Sequence, residues 1–145
     1  MTYKYPPVGF HFKVVFTGFS SEADTLFQSV SGLSVDVETE EIAEGGENRF
    51  KHKLPGRIKY PNLVLKRGMI TSSELITWVR NAFENNEYSP VDLTISLLNE
   101  NHEALAVWNV EHAYPVKWSA SDFNAEESKI VIETIELTYN YFNRV

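Results

Sequence analysis

Most apolar residues of this chain recur with a period of two, and one stretch alone changes to the helical period. A period of two puts alternate side chains on opposite faces of an extended strand, so the pattern confines the chain to mainly β architecture. Between Gly9 and Phe19, Phe10, Phe12, Val14 and Phe16 alternate with His11, Lys13 and Thr17, which is the pattern of a half-buried strand. From Leu33 to Thr39 the alternation is cleaner, with Leu33, Val35 and Val37 set against Ser34, Asp36 and Glu38. Leu54-Pro55-Gly56 is a turn signal, Leu63-Val64-Leu65 marks a strand, and Lys66-Arg67-Gly68 is expected to stop it.

The exception begins at Ser72. Leu75, Ile76, Val79, Ala82 and Phe83 fall at helical spacing, with Ser72 or Ser73 as N-cap, Glu74 in the first turn and Trp78 beside the stripe. A helix over about residues 72–86 follows, ending near Asn85-Asn86. The period of two returns at Val91, Leu93, Ile95 and Leu97. A polar turn, Asn99 to His102, then leads into a strand from Ala104 to His112, which makes a hairpin. In the last run, Ile130 and Ile132 occupy even positions while Ile135, Leu137, Tyr139 and Tyr141 occupy odd ones. Either a bulge near Glu133-Thr134 reverses the faces, or protein covers both. About seven antiparallel strands and one helix predict a two-sheet antiparallel β-sandwich or barrel with one flanking helix, as a single domain over residues 1–145.

Composition removes several functions. The formal charge of −7 opposes binding to DNA phosphates or anionic lipid, so neither sequence-specific nucleic-acid binding nor membrane binding is expected. With no cysteine there are no disulfides, thiolate metal sites or cysteine nucleophiles. The N-terminal residues lack the apolar run of a signal peptide, so synthesis in the cytoplasm is expected. His11, His52, His102 and His112 are scattered without ligand spacing, and no Gly-x-Ser-x-Gly elbow occurs. Neither a catalytic group, a metal nor a cofactor is expected. Glu40, Glu41, Ile42, Ala43, Glu44, Gly45, Gly46, Glu47 and Asn48 are expected to form an exposed hairpin loop. Their carboxylates lack calcium-loop spacing, and no Lys-Ser/Thr follows the glycines to hold a phosphate.

Three stretches together resemble a known family. The first is Phe27-Gln28-Ser29-Val30-Ser31-Gly32-Leu33 with the glutamate-rich strand and Gly45-Gly46. The second runs from Leu54-Pro55-Gly56 through Tyr60-Pro61-Asn62-Leu63-Val64-Leu65-Lys66-Arg67-Gly68 to Leu75 and Trp78. The third comprises Trp108, Ala113-Tyr114-Pro115-Val116-Lys117-Trp118 and Glu133-Thr134-Ile135-Glu136-Leu137. The chain is similar to the tail-tube, or inner-tube, proteins of contractile phages and extracellular contractile injection systems.

That resemblance implies a non-enzymatic subunit whose homohexameric rings stack into a tube. It implies a sheath protein outside, baseplate and spike proteins at one end, a tube terminator at the other, and cargo in the lumen. The final location it implies is a phage tail or tail-like particle. It also places ring and subunit contacts on the hairpin, at Glu40, Glu41, Ile42, Glu44, Gly45, Gly46, Glu47 and Asn48. Alternatives are a tube-initiating or type VI-like ring paralogue and, from another class, a small-ligand-binding β-barrel, which needs a lined cavity.

Overall fold

A computed structural model of the chain describes residues 11–20, 26–42, 52–69, 73–121 and 131–145. Ten strands and one helix occur in the order β1 (His11–Phe16), β2 (Leu26–Phe27), β3 (Ser29–Ser31), β4 (Asp36–Ile42), β5 (His52–Lys59), β6 (Leu63–Gly68), α1 (Glu74–Asn85), β7 (Val91–Leu98), β8 (Ala104–Ala120), β9 (Ile132–Thr138) and β10 (Tyr141–Arg144). All pairings are antiparallel, as the alternation implied.

The main sheet follows the order β2-β1-β7-β8-β9-β6-β3, with β10 added to β8. Its two ends, β2 and β3, belong to one segment interrupted at Gln28, whose N–H donates to the Lys66 carbonyl at 2.9 Å. The sheet therefore closes on itself, which removes the open edges of β1 and β6. Strand β8 joins the two halves of this barrel. Its first part pairs with β7 and β10, and its second part, from Tyr114, pairs with β9. The expected hairpin strand ending at His112 is thus the first half of a longer one. Pro115, which has no N–H to give, sits at a register shift against β9.

Alternate residues of these strands point inward. Val14, Phe16, Phe27, Leu63, Leu65, Leu93, Ile95, Val110, Ile135 and Leu137 are buried together with Leu75, Trp78 and Val79 of the helix. The helix begins where expected: the Ser73 hydroxyl accepts from the Ile76 N–H at 3.0 Å, and Asn86 ends it in the left-handed conformation. Its buried face is Leu75, Trp78, Val79 and Ala82, so the stripe is centred closer to Trp78 than the spacing suggested. Phe83, expected in the stripe, is 40% exposed. In β7 a register shift between Leu97 and Leu98 buries Leu98 and leaves Leu97 only half-buried, which corrects the simple alternation.

Three further expectations give way. Leu54-Pro55-Gly56 is no turn, because these residues lie inside β5, where the ladder with β4 shifts register opposite Val37 to Thr39. Lys66-Arg67-Gly68 does not stop a strand but completes β6. No bulge reverses β9: Glu133, Ile135 and Leu137 all point inward in regular register with Arg67, Leu65 and Leu63. The parity break arises because the buried row of β9 begins with a charged residue. Glu133 meets Arg67, both side chains being 3% exposed, with Nε and Oε1 3.6 Å apart. Arg67 also donates from Nη2 to the Ser73 hydroxyl at 3.3 Å and lies over the Phe27 ring. One buried guanidinium thus ties β6, β9 and the helix cap together.

A second device bends β8. Glu111 and His112 together oppose Asp92, with His112 in the left-handed conformation at φ 61° and its N–H donating to Asp92 Oδ1 at 3.0 Å. Desolvation, then the hydrogen bond and negative charge of Asp92, hold the Glu111 carboxyl above the ordinary carboxylate range. The folded chain therefore keeps this proton better than the unfolded chain does. The resulting stability is fully present below the ordinary carboxylate pKa and is lost as pH rises through the folded value of Glu111. Asp92→Asn keeps an acceptor for His112 and removes the charge. Urea midpoints should place this variant higher relative to wild type at neutral pH than at pH about 4. A gap that does not change with pH would exclude this role for the pair.

Candidate assembly surface

Strands β4 and β5 form a separate two-stranded ribbon that pairs with no other strand among the described residues. It begins where the chain leaves the barrel. Leu33 packs against the core, but Val35 and Val37 are 51% and 50% exposed, so the strand alternation seen in the sequence continues past the point where the described residues supply a cover. On β5, Ile58 stands opposite Val37 and is 60% exposed, and Leu54 is exposed as well. Val37 and Ile58 share one face of the ribbon, the face that also carries Pro55 and Thr39.

Charge divides the ribbon along its length. β4 carries Asp36, Glu38, Glu40 and Glu41, while β5 carries Lys53, Arg57 and Lys59. Lys59 forms an ion pair with Glu38, and this hydrogen bond and the Glu38 charge raise the Lys59 pKa. Glu41 stands opposite Lys53. The ribbon therefore has an acidic edge and a basic edge, neither of which pairs with a further strand among the described residues.

Of the residues expected at the interface, Glu40, Glu41 and Ile42 are strand residues of β4, opposite Leu54, Lys53 and His52, and not part of a loop. Ladder pairing carries the strand further than its acidic composition suggested. Glu44, Gly45, Gly46, Glu47 and Asn48 lie outside the described residues. Sequence reading missed Val37 as a surface residue because alternation reports a two-faced strand without saying what covers either face, and it missed Leu54 and Ile58 because the Leu54-Pro55-Gly56 turn signal hid the strand that carries them. Among the described residues no group of three or more His, Asp or Glu side chains gathers as metal ligands would. Among the described residues no helix is long and apolar enough to cross a membrane.

Comparison with known proteins agrees with this architecture. Over its full length the chain is 29% identical to a chain in the cryo-EM structure of the six-fold symmetrised baseplate of the anti-feeding prophage, covering 97% of that chain with a TM-score of 0.83. It is 30% identical to a chain of the PVC sheath-tube complex, an extracellular contractile injection system in the extended state, with 98% and 93% of the two chains covered and a TM-score of 0.77. Hcp1 from Flavobacterium johnsoniae shares the fold at 14% identity and a TM-score of 0.55, over 92% of this chain and 94% of that one. Among curated proteins none matches. The family model of the T4-like virus tail tube protein gp19 matches residues 8–143, and with a barrel, flanking helix and projecting ribbon in place the chain belongs to that tail tube family.

Proposed function

We propose that this chain is a structural, non-enzymatic subunit of the inner tube of a contractile injection particle. Six copies close a ring, rings stack, and the stack serves as a conduit for cargo. The observation that carries the reading is the β4–β5 ribbon, an element with exposed apolar side chains that the other described residues leave uncovered. Its acidic and basic edges favour head-to-tail contact between copies, since the acidic strand of one subunit complements the basic strand of the next. A contact of this kind closes into a ring when the rotation per subunit allows it.

The same reading assigns the ring and stacking contacts to Glu40, Glu41 and Ile42 and to the connection containing Glu44, Gly45, Gly46, Glu47 and Asn48. A sheath would surround the tube, with baseplate and terminator proteins at its ends. The six-fold baseplate and the sheath-tube complex containing its relatives support this set of partners. The chain as a whole would act as one tail-tube domain.

Ile58→Asp tests the proposal. Wild-type protein should form rings or tubes in negative-stain micrographs, and the variant should remain monomeric by sedimentation while its circular dichroism stays native. Burying Ile58 against a neighbour is worth roughly 1.5–3 kcal/mol per interface, and a charge there reverses the sign. Normal long tubes from Ile58→Asp would exclude the ribbon as the assembly element, and an unfolded variant would make Ile58 a residue of the subunit's own core.

A further inference from the structure

The fold brings together two histidines that lie 91 positions apart. His11 opens β1 opposite Leu98, the last residue of β7, and His102 lies in the turn that follows. His11 Nε2 and His102 Nδ1 are 3.0 Å apart, and the rings meet edge to face with centroids 4.9 Å apart. The turn holds His102 in place. The His102 N–H donates to the Asn99 carbonyl, the Asn99 side-chain oxygen accepts from the N–H groups of Asn101 and Glu103, and His102 itself has φ 61°.

We propose that His11 and His102 form a two-imidazole site for a late divalent transition ion, Cu(II) or Ni(II). Imidazole nitrogen suits these ions. Two metal–nitrogen bonds of about 2.0–2.1 Å at right angles set their nitrogens about 2.9 Å apart, whereas a tetrahedral angle sets them about 3.3 Å apart. The 3.0 Å separation, set in the metal-free pair by the hydrogen bond, lies within about 0.3 Å of both spacings, so a small turn of the rings brings both nitrogens onto one ion, and the Irving–Williams order favours Cu(II). In the metal-free pair one ring holds its proton on the inner nitrogen and donates it to the other. On binding, that ring carries its proton on the outer nitrogen, and both inner lone pairs turn to the ion. Water fills the remaining positions. The ion would link β1 to the β7–β8 turn of the folded chain, a juxtaposition absent from the unfolded chain, so binding stabilises the fold without being required for it.

Chelator-washed protein titrated with CuCl2 or NiCl2 gives the test. Wild type should bind one ion with a raised Tm, and Cu(II) electron paramagnetic resonance should show coupling to two nitrogens. His11→Gln and His102→Asn should each lower affinity roughly a hundredfold and abolish the Tm rise, because each removes the second, intramolecular ligand. Asn tolerates the left-handed conformation at position 102. The double variant should be no weaker than either single one. His52 and His112 persist in all variants, so affinity unchanged in the single variants would assign the ion elsewhere and overturn the proposal. Losses that simply add in the double variant would do the same, since they describe two independent imidazoles.

Discussion

Glu133→Ala should cost about 3–5 kcal/mol of folding stability, because it strands the Arg67 guanidinium in a low-dielectric site without its counter-charge. The two side chains are the charged groups buried among the core residues, directly opposite each other on β6 and β9. Arg67→Ala should cost a similar amount and also remove a donor from the Ser73 hydroxyl that caps the helix. The double replacement Arg67→Met with Glu133→Leu should cost less than either single change, because it removes both desolvated charges at once and leaves the row apolar. Urea denaturation of the four proteins measures the cycle. Single variants within about 1 kcal/mol of wild type, the range of an exposed ion pair, would mean that water reaches the pair.

Gly32→Ala should be nearly as severe. Gly32 has φ +95°, and a Cβ there would lie 2.1 Å from the backbone oxygen of Asn62, at the crossing where the chain leaves β3 towards the ribbon. A backbone atom cannot rotate aside as a side chain can. The strain of the conformation and the displacement of Asn62 together should cost roughly 2–4 kcal/mol, a fall in Tm on the order of 10 °C. Gly18 separates the two causes: its φ is +91°, yet nothing lies within 4 Å of its virtual Cβ. Gly18→Ala should therefore lose only the conformational part, about 1–2 kcal/mol. Equal losses at the two positions would show that contact with Asn62 contributes nothing. The same crossing is sealed by Tyr139, whose hydroxyl donates to the Gly32 carbonyl at 3.4 Å and whose pKa is pushed up to about 12 by burial and then by neighbouring Tyr60.

Much of this architecture is legible in the sequence because strands and helix obey local periods. The helix with its cap at Ser72 or Ser73, the inward row of β1 and the β7–β8 turn follow from spacing alone. What spacing does not reveal is long-range register. Glu133 looked like a parity fault in β9, although the signal for its role was present: Arg67 continues the row of Leu63 and Leu65 as Glu133 continues that of Ile135 and Leu137. Opposite charges closing two apolar rows indicate a cross-strand pair, but only once β6 and β9 are known to be neighbours. The His11–His102 contact was hidden for the same reason. At the ribbon the difficulty was different, since Val35 and Val37 alternate as core residues do and yet are about half exposed.

The placement of β6 between β3 and β9 has a consequence for synthesis. β3 and β6 are made in succession, but β9 follows only after α1, β7 and β8, and β8 is its other neighbour. At roughly 5–20 residues per second, β6 spends several seconds with one edge bare and Arg67 without Glu133. Barrel closure is therefore a high-contact-order step that waits for β9.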